Sequence, residues 1–396
     1  EITDMVLRDR NHPSIIFWSI GNEIKEQWFP GSTNGGEIAR ELVATIKKYD
    51  TTRYTTSAFN FVRDAEKKGM TAAVDVVGFN YTIDAYDEIR QKHPDWCYLA
   101  SETTSQFDSR GIYHFTLDTI VKTYPDCQTS AFDDKGGGTT AEEAWLAVRN
   151  RPWMSGMYIW TGFDYFGEPA PYEKQAVSSY FGIFDLCGFP KDSYYFYKSQ
   201  WTNEPVLHLL PHWNWNEGQL IDVVAYTNCD EVKLFLNNRP IGTKKLSETQ
   251  KLSLRWKVPF NAGTLKAEGY KNGKLIATDE VKTAGDPAHI ELIADRNVIV
   301  ADGRDLSFIT VRITDENGVL IPNADQLVHF DLEGEGILAG VGNGNAMSQE
   351  PAKGRERHAF SGMCQAIIQS TGRPGNIVLK ASSLGLAESK ITVISK

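Results

Sequence analysis

The first half of the chain alternates short apolar runs with longer amphipathic stretches. Runs rich in β-branched and aromatic residues predict five strands, Ile15–Ile20, Tyr54–Ala58, Val74–Phe79, Tyr98–Ser101 and Met157–Trp160. Helical spacing of apolar residues predicts helices between and before them, including residues 1–10, Glu37–Lys48 and Thr140–Arg149. Strands that alternate with helices form a parallel sheet, and the uncharged first run predicts a strand buried on both faces.

From about Asn203 the pattern changes to short alternating strands separated by turn residues. Lys271-Asn272-Gly273-Lys274 predicts a two-residue hairpin turn, and Asp315-Glu316-Asn317-Gly318 predicts another. Evenly spaced strands without helices predict two β-sandwiches, divided at Ala284-Gly285-Asp286-Pro287. We therefore expect three domains, at residues 1–202, 203–285 and 286–396.

Two of the predicted strands end in a glutamate. Glu23 follows Gly21-Asn22 after the first strand, and Glu102 follows Ser101 after the fourth. The carboxyl ends of the strands in a (β/α) barrel converge on one cleft. A glycosidase needs two carboxylates there, one to protonate the leaving oxygen and one to attack the anomeric carbon. A solvated loop residue or a helix cap is the alternative for either glutamate alone, and the pair favours catalysis.

Four segments resemble motifs of glycoside hydrolase family 2. Asn11–Glu23 resembles the acid/base signature of the family, and Ser101–Ser105 resembles its nucleophile segment. Gly78–Tyr81 and Tyr158–Tyr165 resemble the ends of the sixth and eighth barrel strands. The four segments occur in the order of the family, so together they are more specific than any one motif. The resemblance is closest to the β-galactosidase branch.

The resemblance implies an α/β plus all-β fold. It would consist of a partial (β/α)8 TIM barrel, strands 4–8, followed by two immunoglobulin-like β-sandwich domains, the second of the invasin type. The first three barrel strands and two upstream β-domains would be missing, so we expect the chain to be one fragment of a longer enzyme. An open half-barrel exposes two sheet edges. Association with the missing N-terminal portion or with a second copy of the chain is left open, and the relatives imply export to the periplasm or cell surface of a bacterium.

The resemblance also implies roles for individual residues. Glu23 would be the acid/base, with a pKa raised by burial, and Glu102 the ionised nucleophile. Asn22 matches the asparagine that contacts the sugar 2-hydroxyl, with a capping amide as the alternative. Tyr81 matches the tyrosine that donates to the nucleophile, with a core tyrosine as the alternative.

Further substrate-binding candidates lie on the same predicted strands or just after them. Asn80 precedes Tyr81, and Trp160 could form the platform under the sugar ring or simply pack. Asp164 could bind sugar hydroxyls, with an N-cap as the alternative. Glu168 lies in a loop that could reach the site.

Two histidines and two tryptophans complete the candidates. His12 precedes a proline on the entry side of the first strand, which favours a structural role. His114 could line the cleft. Trp213 and Trp215 alternate as they would on one face of a strand, where they could bind sugar, although packing is the favoured interpretation.

Composition excludes several other classes of function. The 41 basic and 51 acidic residues give a net charge of −10, which disfavours nucleic acid and anionic polysaccharides as partners. None of the five cysteines has CxxC spacing, so neither a zinc site nor a redox pair is indicated. No apolar stretch has the length of a membrane span. We expect no cofactor, and a magnesium site is doubtful because its family ligands lie partly on the missing third strand.

These observations predict a retaining exo-β-glycosidase that acts on a β-linked oligosaccharide or polysaccharide, with a terminal β-galactoside as the preferred substrate. A β-mannosidase, a β-glucuronidase and an inactive carbohydrate-binding fragment are the alternatives. β-Glucuronidases carry an Asn-x-Lys element before a Gly-Ile-Phe segment, whereas Ser179-Tyr180-Phe181 precedes Gly182–Phe184 here. The β-domains carry no carboxylate pair at strand ends, so removal of residues from about 286 is expected to change kcat less than about tenfold.

Overall fold

The computed structural model describes residues 1–114, 124, 126–132 and 138–396. The described residues form two compact units. The first comprises residues 1–106 and 138–161, and the second comprises the described part of 107–133 together with 162–396. No helix in the described ranges is both long enough and apolar enough to cross a membrane.

The first unit is a parallel five-stranded sheet whose strands lie in chain order. The five predicted strands are confirmed, as β1 (Phe17–Asn22), β2 (Tyr54–Phe59), β3 (Val76–Asn80), β4 (Cys97–Thr104) and β5 (Met154–Trp160). The helices are α1 (Ile2–Asp9), α2 (Gly35–Tyr49), α3 (Val62–Lys67), α4 (Tyr86–Lys92) and α5 (Ala141–Arg149), with 3-10 turns at Lys25–Gln27, Thr71–Ala73 and Ile83–Ala85. A capping box between Thr140 and Glu143 begins α5.

Burial within this sheet falls from its centre to its edges. Every residue of β3 is buried, and the rings of Phe79 and Tyr98 stack in the core beneath it. In β1 only Trp18 is buried, so the prediction that this strand is buried on both faces is wrong. The reason is its position, because among the described residues β1 pairs with β2 alone.

The second unit begins its regular structure with α6 (Asp192–Trp201) and continues into a first sandwich. One sheet has the strand order β10-β7-β6 and the other β12-β11-β8-β9. These strands are β6 (Leu207–Leu210), β7 (Leu220–Thr227), β8 (Glu231–Leu236), β9 (Arg239–Lys245), β10 (Ser253–Pro259), β11 (Thr264–Lys271) and β12 (Lys274–Lys282), with a 3-10 turn at Leu246–Glu248.

The predicted hairpin between β11 and β12 is confirmed. Lys271 pairs with Lys274, and the φ angles of Asn272 and Gly273 are 51° and 75°. Both central residues are left-handed, as the favoured two-residue turn requires.

The predicted strand around Trp213 and Trp215 is wrong, because these residues lie in a loop between β6 and β7. Trp213 is fully buried in the core of the first sandwich, and its indole Nε1 donates to the Asn261 carbonyl 3.1 Å away. Trp213 is therefore a core residue and does not belong to a sugar-binding strip.

The second sandwich has one sheet of order β13-β15-β19-β17 and one of order β14-β21-β20-β16-β18. Apolar side chains from both sheets form one buried core. The strands are β13 (His289–Ala294), β14 (Val298–Ile299), β15 (Leu306–Thr314), β16 (Leu327–Gly334), β17 (Gly336–Gly342), β18 (Glu356–His358), β19 (Met363–Ser370), β20 (Gly375–Ser382) and β21 (Ser389–Ser395).

A buried arginine joins the second sandwich to the segment that follows β4. The Nε of Arg110 donates to Asp185 at 2.7 Å, and its Nη2 donates to the carbonyls of Asn343 and Phe360, each at 2.9 Å. Removing residues from 286 onward would leave this cation without two of its acceptors. The contacts give the last domain a part in stability, and the expectation that its removal changes kcat by less than about tenfold stays a prediction.

Candidate active site

The register of the parallel strands aligns their carboxyl ends along one edge of the sheet. Asn22 pairs with Ala58 across β1 and β2, and Asn80 pairs with Glu102 across β3 and β4. At the end of β5, Trp160 pairs with Thr104. Except for Asp164, every residue of the predicted site lies at this edge of the first unit.

The carboxamide of Asn80 connects both predicted catalytic glutamates. Its Nδ2 lies 2.9 Å from Glu23 Oε1, 3.3 Å from Glu102 Oε2 and 3.0 Å from Asn22 Oδ1. Because one nitrogen contacts both carboxylates over these distances, the two oxygens are no more than 6.2 Å apart. Retaining glycosidases hold their carboxyl groups about 5–5.5 Å apart, whereas inverting enzymes need about 6.5–9.5 Å.

A serine fixes which end of this carboxamide faces the glutamates. Ser101 Oγ donates to Asn80 Oδ1 at 2.8 Å, so the NH2 group is turned toward the carboxylates. Asn80 itself is fully buried. Successive side chains of a regular strand point to opposite faces. Ser101 and Glu102 are neighbours in β4, yet both contact Asn80. This is possible because the pairing of β4 with β3 and with β5 is irregular at this point.

Tyr81 holds the other oxygen of the predicted nucleophile. Its hydroxyl donates to Glu102 Oε1 at 2.5 Å and lies 2.7 Å from Ser105 Oγ. The single phenolic proton goes to the carboxylate, so the Ser105 hydroxyl donates to Tyr81. Burial, and next the bond to Glu102, raise the pKa of Tyr81 well above its usual value, which keeps it a neutral donor.

Left-handed backbone conformations cluster at these strand ends. The φ angles are 51° at Glu23, 59° at Tyr81, 78° at Thr104 and 54° at Ser105. Such conformations are costly for residues other than glycine, and they concentrate at functional sites. Gly138 lies against the same residues, since a Cβ there would be 2.2 Å from the Thr104 carbonyl oxygen and 2.9 Å from the Tyr81 ring.

Asn22 and Trp160 occupy opposite ends of this edge. Asn22 is exposed, and its Oδ1 accepts from Asn80, which leaves the two protons of its own Nδ2 for a ligand. The backbone carbonyl of Trp160 accepts from the Ser105 amide at 3.2 Å, and the residue is half-buried. The predicted sugar contacts of these two residues stay predictions.

Asp164 and Glu168 belong to the second unit. The Asp164 carboxylate is buried, 2.7 Å from Lys191 Nζ, and accepts from the Gly182 amide at 2.8 Å. Burial raises the pKa of Asp164 to about 6 although Lys191 opposes the shift. These contacts do not support the predicted sugar-binding role of Asp164. Glu168 is exposed and accepts from the Tyr165 hydroxyl.

The two histidines have different surroundings. His12 is exposed, and its backbone carbonyl accepts from Arg53 at 3.1 Å, which agrees with the structural role that its position favoured. The imidazole of His114 stacks on Tyr124 in the second unit, with 3.9 Å between the ring centroids.

Family models match most of the chain. The glycosyl hydrolases family 2 TIM barrel domain matches residues 1–185, and the glycoside hydrolase family 2 C-terminal domain 5 matches residues 290–392. The chain belongs to glycoside hydrolase family 2. Residues 218–277, in the first sandwich, match a domain of unknown function, DUF4982.

Curated relatives in this family include two sugar specificities. The β-galactosidase BoGH2A of Bacteroides ovatus is 40% identical over 99% of the chain and 51% of its own length. A putative β-glucuronidase of Formosa agariphila is 28% identical over 97% of the chain and 39% of its own length. The chain therefore spans about half the length, or less, of these relatives.

Solved family 2 structures share the fold. A β-glycosidase from Bacteroides vulgatus superposes with a TM-score of 0.87 at 32% identity, over 99% of this chain and 52% of that one. A family 2 member from Bacteroides cellulosilyticus superposes with a TM-score of 0.84 at 32% identity, over 100% of this chain and 51% of that one. The partial TIM barrel and the β-sandwich strands are thus the fold of this family.

Proposed function

We propose that the protein to which this chain belongs is a retaining exo-β-glycosidase that removes terminal β-galactosides by double displacement. The observation that carries the proposal is the Asn80 nitrogen shared by Glu23 and Glu102, because it brings one oxygen of each carboxylate to within 6.2 Å of the other, which is compatible with a retaining pair. The 40% identity to a β-galactosidase over 99% of the chain supports the sugar.

In the first step, a carboxylate oxygen of Glu102 attacks the anomeric carbon. The bond from that carbon to the leaving oxygen breaks, and Glu23 gives its proton to the leaving oxygen. Tyr81 and Asn80 each donate to Glu102, so they hold its oxygens in place before the attack.

In the second step, Glu23, now ionised, takes a proton from water, and the resulting hydroxide attacks the anomeric carbon. The bond to Glu102 breaks, and the sugar leaves with its original configuration. The Nδ2 protons of Asn22 can donate to a sugar hydroxyl. If this hydrogen bond strengthens in the transition state, it accelerates both steps.

Galactose is preferred over glucuronic acid for a chemical reason. A glucuronide carboxylate needs a cation or several donors to bind it, and the sequence has Ser179, Tyr180 and Phe181 before Gly182 where β-glucuronidases carry the Asn-x-Lys element. Phe181 is apolar and buried. The relatedness to putative β-glucuronidases nevertheless makes glucuronide hydrolysis the second candidate function.

The test is a panel of aryl β-galactoside, β-glucuronide and β-mannoside assayed on the full-length enzyme. We expect kcat/KM for the galactoside to exceed the others by at least about a hundredfold, or about 2.7 kcal/mol of transition-state binding. A preference for the glucuronide or the mannoside would refute the assigned sugar. Inactivity toward all three would favour the carbohydrate-binding alternative.

A further inference from the structure

The second unit contains a cavity of about 630 Å³ that is separate in sequence from the predicted catalytic residues. Its walls come from the segment after β4, the loop before β7 and three stretches of the second sandwich, at residues 111–114, 212–215, 322–325, 343–350 and 358–361. This volume is typical of sites that enclose a small ligand.

The walls of the cavity are fixed by buried contacts. The Arg110 guanidinium connects three of the segments behind it, through Asp185 and the carbonyls of Asn343 and Phe360. Next to it, Gly111 adopts a φ of 73°, and a Cβ at that position would lie 2.8 Å from the Ser361 Cβ. The cavity is therefore held open by packed structure and ion pairing.

One side of the cavity is aromatic. The rings of His212 and Trp215 stack at 4.5 Å with only 9° between their planes, and Tyr113 meets His212 edge-on. Burial lowers the pKa of His212 to about 4, so this imidazole is neutral at physiological pH. His212 Nδ1 accepts from the Asn214 amide, which places the remaining proton on Nε2 as a donor.

Other lining residues are polar and supply hydrogen-bond donors and acceptors. Asn345 Oδ1 accepts from Gln128 and from the Met347 amide, so the NH2 group of Asn345 is left for a ligand. Burial opposes the ionisation of Glu350, but bonds from His358 and neighbouring groups lower its pKa, so it is an ionised acceptor.

The charged residues of the lining indicate whether the cavity would bind a neutral, an anionic or a cationic ligand. Three carboxylates line the cavity, those of Asp126, Asp325 and Glu350, and no lysine or arginine occurs among the described residues that line it, although Arg357 pairs with Glu350 at 3.4 Å. The described lining therefore favours a neutral ligand over an anionic one. No group of three or more His, Cys, Asp or Glu residues in the described ranges could hold a metal ion, which argues against a cation site.

We propose that this cavity is an accessory binding site for a neutral glycan. Aromatic faces pack against sugar C–H surfaces, while amides and carboxylates bond to hydroxyl groups, and the lining offers both. Binding here is independent of hydrolysis, so it stands whether or not the proposed reaction is confirmed.

Calorimetric titration of the 396-residue chain with β-1,4-galactotetraose tests the proposal. Gln349 is an exposed lining residue, and a tryptophan there would occupy the cavity without removing a described bond. Gln349→Trp should weaken binding at least about tenfold, or 1.4 kcal/mol. Gln250→Trp, at an exposed position outside the cavity, is the matched control and should bind as the parent chain does.

Three further measurements distinguish binding in the cavity from binding in the active site and from binding of anions. The tetraose also fits the predicted active site, so the titration is fitted to two sites. Asn22→Ala should weaken only the active-site component and leave the affinity of the cavity unchanged, and the same tetraose oxidised to the carboxylate at C6 should bind the cavity at least about tenfold more weakly. Trp215→Leu should weaken binding as Gln349→Trp does, with folding checked by thermal melting. The absence of saturable binding, equal binding by Gln349→Trp and Gln250→Trp, loss of all saturable binding in Asn22→Ala, or equal affinity of the cavity for the anionic probe would overturn the proposal.

Discussion

At the scale of single residues, the predicted site is organised around a buried amide. The two Nδ2 protons of Asn80 are shared among Glu23, Glu102 and Asn22, while the Ser101 hydroxyl donates to Asn80 Oδ1. An unheld carboxamide could rotate and present its oxygen to two carboxylates, which would be repulsive. Ser101 is therefore a positioning residue that acts through Asn80.

Ser101→Ala in the full-length enzyme should lower kcat by about 10–100-fold, the effect of losing a buried hydrogen bond worth about 1–3 kcal/mol. KM should change little, and Ser101→Thr should restore much of the rate because it keeps the hydroxyl. Ser57→Ala is the control, since Ser57 Oγ donates to the Gly21 carbonyl in the same sheet. Equal losses in Ser101→Ala and Ser57→Ala would show only a structural effect.

Glu102→Gln should lower kcat by more than about 10⁴-fold, because the carboxylate that attacks the anomeric carbon becomes a neutral amide of the same shape. Steady-state assay of the full-length enzyme measures this loss. Glu37→Gln, an exposed change in the first turn of α2, is the matched control. Retention of more than a hundredth of the rate by Glu102→Gln would rule out its nucleophilic role.

The position of Glu23 and Glu102 at one edge of the sheet could be predicted, because each follows a strand that is visible in the sequence. The contribution of Ser101 could not, because a regular strand would point it away from its neighbour Glu102. The partner of Asp164 could not be predicted for a related reason. Asp164 follows a strand motif, but its partner Lys191 is 27 positions away and can be paired with it only in the folded chain.

At the scale of elements, a buried carboxylate at the end of α2 forms a hydrogen bond to strand β1, in which only Trp18 is buried. Asp50 follows α2, is 6% exposed, and accepts from Trp18 Nε1 at 2.9 Å and from Arg53 at 2.6 Å. Burial opposes ionisation, but the bonds from Thr52, Trp18 and Arg53 outweigh it and hold the pKa of Asp50 well below its usual range.

A depressed pKa means that Asp50 stabilises the fold above the pKa of the unfolded chain, about 4, and that this contribution is lost as the pH falls further. Asp50→Asn should lower the free energy of unfolding by about 2 kcal/mol at pH 7. Urea unfolding followed by tryptophan fluorescence should show that difference shrink toward pH 3.

Asp84→Asn is the control, because the Asp84 carboxylate pairs with Arg63 on the surface and its side chain is 75% exposed. Its effect should stay below about 1 kcal/mol. An Asp50→Asn effect that is equally small, or constant with pH, would contradict the anchoring role of Asp50.

The positions of elements were predictable where apolar runs are bounded by turns, as for β2 to β5. Strands without a buried face escaped detection. β9 has no buried residue, so its sequence shows no apolar alternation. The degree of burial of β1 depends on neighbouring strands, which a local pattern cannot report.

At the scale of the whole molecule, the last sandwich supports the segment that follows the predicted nucleophile strand. Deleting residues 286–396 removes two carbonyl acceptors of Arg110 and the ring of Phe360 that covers its guanidinium, while the ion pair with Asp185 stays. We expect the enzyme that lacks these residues to unfold at a lower temperature, with a change in kcat of less than about tenfold while it is folded.

The double change Arg110→Met and Asp185→Asn separates the ion pair from the domain, because it removes both charges together and leaves neither one buried without its partner. This double variant should have a higher melting temperature than the truncated protein. A truncated enzyme with unchanged melting temperature and activity would show that the last sandwich is dispensable after all.

The central claim is that Glu102 attacks the sugar and Glu23 supplies the proton. The most direct test is to inactivate the full-length enzyme with a 2-fluoro β-galactoside bearing an acidic leaving group and to map the labelled peptide by mass spectrometry. The fluorine slows both steps, while the good leaving group lets the covalent intermediate form and accumulate. The account predicts one sugar per chain, attached to the Glu102 carboxylate. A label on any other residue would contradict it, as would hydrolysis of aryl β-galactosides with inversion at the anomeric carbon.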